Sequence, residues 1–368
     1  MHEQRKMVTA APENSETPLD DVRSWVTPNR LFFVRNHFAM PTAITLENWR
    51  LRVGGCVQKP LELTWDEITA LPERTVFATM ECAGNGRSFL SAKQPGVPWG
   101  AGAVGHAEWT GVPLHLLLQK AGLKPGTVEI IFEGQDVGAE ADHPQPMNFA
   151  RSLPLDKALD ADTLLAYRMN GELLEPIHGF PLRLFVPGWY GVASVKWLRS
   201  IEATTQPFRG YFQTVKYTIQ RSSGRGKETV VIGPMPVKSE IIRPRESEIL
   251  GIGTNRLFGV AWGGPDAVAR VEISVDGSRS WNEAQLIGPR AAYSWTMWEY
   301  LWEVAEPGDY TVMSRAASTG GQVQPTAHDP QNGGYQIHFS RPRPVRVERT
   351  RRIVEQHATV DMLQYDMN

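Results

Sequence analysis

Ala78-Thr-Met-Glu-Cys-Ala-Gly-Asn-Gly-Arg-Ser-Phe-Leu90, ATMECAGNGRSFL, carries one of only two cysteines in the chain. A packing cysteine ordinarily sits among Leu, Val and Ile. Cys82 is instead followed by Ala-Gly-Asn-Gly-Arg, small and polar residues that leave its backbone approachable. That setting suits a reactive or liganding sulfur, which needs a thiolate and room beside it. Cys56, in VGGCVQKP after a strand-like LRV, reads as a small buried hydrophobe.

The chain has 368 residues, 41% hydrophobic and 21% charged, enough for two domains or more. A formal net charge of -2 argues against a protein that wraps nucleic acid or coats an anionic membrane. The amino terminus, MHEQRKMVTAAPENSETPLDD, lacks the apolar stretch of a signal peptide, and no run approaches the roughly 18 apolar residues of a membrane span. A cytoplasmic chain is expected, or a periplasmic one if a leader has been removed. Two cysteines are too few for a secreted disulfide scaffold of this size.

The texture changes near residues 220–240. Before it, strand-like runs at Val128 to Phe132 and Leu182 to Val186 mix with a helix-like run, Pro113 to Gly122, predicting an α+β domain. After it, Val271-Glu-Ile-Ser-Val275 puts alternate apolar residues on one face and runs into Asp276-Gly277, a hairpin signal. A further strand, Tyr310 to Ala316, follows Gly308-Asp309. Trp262, Trp281, Trp295, Trp298 and Trp302 read as core fillers of an all-β immunoglobulin-like sandwich. They exceed what that core needs, so some are expected at a surface covered by a second copy. The expected layout is an amino-terminal extension over 1–27, a catalytic domain over 28–232, the sandwich over 233–347 and a tail over 348–368. The tail's arginines read as a solvated surface and its end as a short helix.

Several chemistries lack their residues. Gly100-Ala-Gly102-Ala-Val-Gly105 has the spacing of a dinucleotide fingerprint but follows Gln94-Pro-Gly-Val-Pro-Trp99 rather than an apolar strand. Walker loop, HExxH, GxSxG and CxxCH are absent. The nine histidines show no paired ligand spacing, so a metal held wholly by protein side chains is not expected. The first domain does carry cations at glycine-rich turns. Arg35-Asn36-His37 lies in FFVRNHFAMP, Arg87 follows Cys82, His178 and Arg183 frame HGFPLR, and Lys196 closes GWYGVASVKWL. Guanidinium forks match phosphate and sulfur oxyanions bidentately. Together with one thiol, the set describes a pocket for an anionic cofactor that delivers a metal.

FFVRNHFAMP, ECAGNGR, WGAGAVGHAEWTGVPL, HGFPLRLFVPGWYGVASVKWL, FGVAWGG and VEISVDGSRSWNEAQL, in this order, resemble the sulfite oxidase family of molybdenum enzymes over about residues 28–347. The resemblance implies a molybdopterin-binding domain followed by an immunoglobulin-like dimerisation domain. It implies a molybdenum–molybdopterin cofactor whose metal takes one protein thiolate, Cys82, and no haem in this chain. By position, Asn36, His37, His178, Arg183, Ser194 and Lys196 would contact the cofactor. Arg35, Arg87 and Trp99 would line the substrate pocket, and Tyr217 would stand beside the reacting oxygen. The implied activity is oxidation of sulfite to sulfate, with electrons passed to an external acceptor, a cytochrome c-like protein or oxygen. The alternatives are a reductase of nitrate or of an S- or N-oxide, and a cofactor-free binding or assembly protein.

The sequence also departs from the family. Gly86 stands where an arginine is common in CAGNRR, and Ala193 where GARSVKWL has one. Pro330-Gln-Asn-Gly-Gly-Tyr335 replaces a stretch that supplies a substrate arginine in the animal enzymes. A less positive or more open anion pocket is expected.

Overall fold

Strand formation dominates both halves of the chain in the computed structural model, which describes residues 4–224 and 226–349. In the first domain, one five-stranded sheet runs Glu172–Leu173, Leu164–Met169, Val104–Pro113, Arg74–Glu81, with Arg183–Phe185 pairing on Leu164–Met169. A second runs Leu61–Leu63, Leu51–Gly55, Leu198–Thr204, Glu129–Glu140, His143–Pro154. The expected helix forms as Leu114–Ala121, turning Leu114, Leu117, Leu118 and Ala121 into the core and ending at Gly122 with φ 70°. Only glycine adopts that conformation without strain.

The amino-terminal residues are part of the frame. Lys6–Ala10 pairs with Glu13–Glu16, which pairs in turn with Val34–Arg35, matching Asn14 with Arg35. The amide of Asn36 donates to Asn14 Oδ1 at 2.9 Å, so this hairpin holds the Arg35-Asn36-His37 segment in place.

The second domain is a sandwich. Lys238–Arg243, Gly253–Trp262, Thr296–Val304 and Gln285–Ile287 form one sheet. Ile249–Gly251, Arg343–Glu348, Gly308–Ser318, Val268–Ser274 and Asn282–Glu283 form the other. Val271 and Ile273 face inward with Leu257, Trp298, Val312 and Val345, as alternation predicts. The Asp276-Gly277 turn is wider than a two-residue hairpin, because Ile273 pairs with Asn282. The Asp276 carboxylate accepts from the amides of Arg279 and Ser280 and stabilises the longer loop.

The tryptophan expectation needs correcting. Trp262, Trp295 and Trp298 are fully buried and Trp302 is 5% exposed. Trp281 is half-buried, with the Arg315 guanidinium 4.2 Å from its ring centroid. The tryptophans therefore supply no apolar surface patch. Trp262 and Trp295 pack instead in the core shared with the first domain, a use of aromatic area that the sandwich count overlooked. The short helix expected at the end of the tail lies outside the described residues.

The two domains are joined by a buried carboxylate. Glu81 accepts from Lys238 Nζ at 3.1 Å, from Trp262 Nε1 at 2.9 Å and from Asn85 Nδ2 at 3.0 Å. Removing one partner of such a pair strands a charge away from water, at about 3–5 kcal/mol. Lys238→Met should lower unfolding free energy by that amount in urea titrations. Arg52→Gln, which breaks the exposed Arg52–Glu62 pair, should cost less than about 1 kcal/mol. Equal losses would show that the buried pair contributes no more than a surface one.

Candidate active site

Cys82 follows the last residue of the strand Arg74–Glu81, and its turn is closed by backbone bonds. Asn85 N donates to Cys82 O at 2.9 Å, Arg87 N to Gly84 O at 3.1 Å and Cys82 N to Ala103 O at 2.9 Å. The Asn85 side chain bridges Glu81 Oε1 and the amide of Ala103. Gly86 has φ 93°, a conformation that glycine adopts without strain.

Cys82 faces a cavity lined also by Arg35, Asn36, His37, Asp136, His178, Arg183, Ser194, Lys196 and Tyr217. All the expected cofactor residues thus converge, along with Arg35 and Tyr217 from the expected catalytic set. Arg87 and Trp99 lie outside the lining. Trp99 is fully buried, and Arg87 donates to Val97 O at 2.7 Å and Gly334 O at 3.1 Å. Arg87 forms no ion pair among the described residues.

The lining is fixed by its own hydrogen bonds. Arg183 donates to His178 O at 2.9 Å and to Ser194 O at 3.0 Å, leaving its Nε without a partner. Lys196 Nζ donates to Asn36 Oδ1 and, at 3.0 Å, to Ile177 O. Val186 N donates to Ser194 Oγ at 3.1 Å. His37 Nε2 lies 2.6 Å from Tyr217 Oη, and Arg35 reaches the same hydroxyl at 3.5 Å.

Charge in the cavity is unbalanced. Burial, then the charge of Arg183, holds Lys196 well below its ordinary pKa, with Asp136 acting the other way. Burial pushes Asp136 up to about 7, against the pull of Lys196. Burial, aided by Lys196 and Arg183, draws His178 down to about 3. His37 is lowered by burial and by Arg35, so it is a neutral imidazole near pH 7. Burial lowers Arg183 to about 9. Burial also raises Tyr217 well above the usual phenol range despite Arg35, so it stays protonated.

Crowded cations, a single carboxylate held toward neutrality and an unpartnered guanidinium nitrogen fit an anionic, hydrogen-bonding cofactor. One thiol in the lining of the same cavity fits a metal carried by that cofactor. Asp136 was missed in the sequence. Its signal was phase: in Glu129–Glu140 the residues Ile130, Phe132, Gly134 and Asp136 all point inward, so an acid shared the buried face.

Residues 37–212 match the oxidoreductase molybdopterin binding domain, and residues 229–332 match the Mo-co oxidoreductase dimerisation domain. The chain is 35% identical to the sulfite oxidase of Gallus gallus over 338 residues, covering 87% of this chain and 72% of that one. It is 32% identical to the sulfite oxidase of Arabidopsis thaliana, covering 88% of each. The mitochondrial sulfite oxidases of Mus musculus and Homo sapiens are longer, and the chain spans 62% of each. The solved structure of the sulfane dehydrogenase SoxCD from Paracoccus pantotrophus matches with a TM-score of 0.81 at 29% identity, covering 92% of this chain and 87% of that one. The chain belongs to the sulfite oxidase family of molybdopterin oxidoreductases. Its domain order and its molybdenum–molybdopterin cofactor follow, and the cofactor-free binding reading is set aside.

His178 makes the burial argument testable in the cofactor-free protein. Its folded pKa of about 3 lies below the unfolded value of about 6.5, so the unfolded chain binds the extra proton between them. Stability is therefore lost as pH falls through that window. His178→Gln should flatten the fall of unfolding free energy between about pH 6.5 and pH 4 by up to one proton's worth of slope. An unchanged slope in urea titrations would show that His178 is protonated in the fold.

Proposed function

We propose that the chain oxidises a small sulfur oxyanion, sulfite in the first instance, to the oxyanion with one more oxygen and passes the electrons to an external acceptor. The observation that carries this reading is the convergence of Cys82, Arg35 and Tyr217 on one cavity, with an acid-free Arg87 nearby. Similarity to sulfite oxidases supports it.

Molybdenum on molybdopterin supplies two-electron oxygen-atom transfer when bound. Cys82 would hold the metal, and Asn36, His178, Arg183, Ser194, Lys196 and Asp136 would hold the pterin and its phosphate. Arg35 binds and orients the oxyanion, and its charge stabilises negative charge that develops on oxygen. A well-placed donor of this kind contributes about 3–4 kcal/mol. With its proton on Nε2, the neutral imidazole of His37 donates to the Tyr217 oxygen, which leaves the phenol proton, retained through burial, free to donate to the oxyanion. Arg87 acts from just outside the lining as a desolvated positive charge.

A second reading, a substrate with sulfane sulfur, is supported by the likeness to the sulfane dehydrogenase SoxCD and by the missing arginine at residues 330–335. Sulfite-dependent dye reduction, run beside sulfane-sulfur and nitrate assays, separates these substrates.

Cys82→Ser should abolish turnover while retaining much of the pterin, because the cationic contacts hold it independently; wild-type-like activity would sink the ligand assignment. Arg87→Gln should raise KM for sulfite about tenfold, an effect that shrinks with salt, whereas Arg52→Gln should not change it. Equal kinetics in the two variants would make Arg87 structural.

A homodimer through the sandwich is also proposed, on the match to the dimerisation domain and on Leu301, 61% exposed on Thr296–Val304. Light scattering at micromolar concentration should give the mass of two chains. The mass of one would overturn the dimer.

A further inference from the structure

The sandwich domain reaches into the first domain through residues 330–337. Gln336 N donates to Ala83 O at 2.9 Å, one residue after Cys82, and Gly334 O accepts from Arg87 Nε at 3.1 Å. Ile337 lies against Gly86, where a Cβ would stand 3.1 Å away. Arg221 clamps the segment from the strand that follows Tyr217, donating to Asn332 Oδ1 at 2.6 Å and to Gln336 Oε1 at 2.9 Å. The segment is thus braced against both the cysteine turn and the Tyr217 strand.

Tyr335 is the large side chain that this segment sets between them. Its ring centroid lies 5.0 Å from that of Tyr217, and the Arg87 guanidinium carbon lies 5.4 Å from its centroid. Tyr217 is buried and lines the cavity with Cys82, whereas Tyr335 is half-buried. Tyr335 therefore stands outside the cavity lining, on the more exposed side of Tyr217 and against Arg87, the arginine beside the cavity.

The chemistry at this position differs sharply between a ring and a cation. A cation would add a third positive charge near Arg35 and Arg87 and reward a compact dianion. An aromatic ring stabilises Arg87 through its π face and keeps that guanidinium in position. It offers a second anionic oxygen no charge. It does offer a methyl group or a polarisable sulfur a favourable apolar face.

We infer that Tyr335 is a specificity-determining residue: its ring, between Arg87 and Tyr217, favours sulfur oxyanions with one negative charge and an apolar or polarisable substituent over compact dianions. The inference rests on the reading of the cavity as an oxyanion pocket. Its test is binding to the holoenzyme, by calorimetry, of sulfate and of methanesulfonate. The ratio of the two affinities is the readout, since it does not depend on the active fraction or on turnover.

Tyr335→Arg should shift the ratio toward sulfate by about tenfold and steepen the loss of sulfate binding with salt. Should that variant lose molybdenum or fail to fold, Tyr335→Ser decides. Loss of the ring should weaken methanesulfonate by about threefold or more and sulfate by less than about twofold. An unchanged ratio in the folded variant, with binding intact, overturns this inference alone. Absence of binding of either anion by the wild type overturns the oxyanion reading and this inference with it.

Discussion

A buried carboxylate, Glu81, holds the end of the cysteine-bearing strand and the start of the second domain in one hydrogen-bonded knot. Burying a charge is unfavourable by several kcal/mol unless donors replace the lost water. Here an ammonium, an indole N–H and an amide supply them, from Lys238, Trp262 and Asn85. The next residue in the chain is Cys82, so the sulfur's position depends on a contact made across the domain boundary. A second knot secures the same boundary. His106 lies between Trp25 O at 2.7 Å and Ser294 Oγ at 3.0 Å, and the indole N–H groups of Trp25 and Trp295 bond each other's carbonyls. The sandwich thus buttresses the cysteine turn from behind as well as being a candidate dimer module.

The cavity itself holds more positive charge than the fold alone stabilises. Arg35, Arg183 and Lys196 face one carboxylate, Asp136, which burial pushes up to about 7 so that it is only partly ionised at physiological pH. Such an arrangement is unfavourable without an anion and strongly favourable with one, and binding then adds to stability by mass action. Burial, aided by these cations, keeps His37 and His178 neutral, which makes them hydrogen-bonding groups rather than additional charges.

Much of this was legible in the sequence because the site is assembled from short local motifs. The glycines of ECAGNGR and HGFPLR mark turns that need positive φ, as Gly86 and Gly179 do, and the cations flank them. The helix Leu114–Ala121 and the alternation in Val268–Ser274 were equally local. What escaped depends on distant partners. Glu81 finds its role through a residue 157 positions away, and Asp136 through the inward phase of a long strand. The tryptophans suggested a surface because the first-domain partners of Trp262 and Trp295 were not visible from spacing. Arg87 sat in the expected motif, yet its side chain is drawn to Val97 O and Gly334 O beside the cavity. Tyr335 was visible only as a missing arginine.

The central claim is that Cys82 is the protein's bond to a molybdenum atom held in this cavity. X-ray absorption at the molybdenum edge, on wild type and Cys82→Ser loaded to known metal content, addresses it directly. The account requires molybdenum in both proteins and one fewer sulfur neighbour in Cys82→Ser. The same number of sulfur neighbours in the two proteins, or no molybdenum in the wild type, would contradict it.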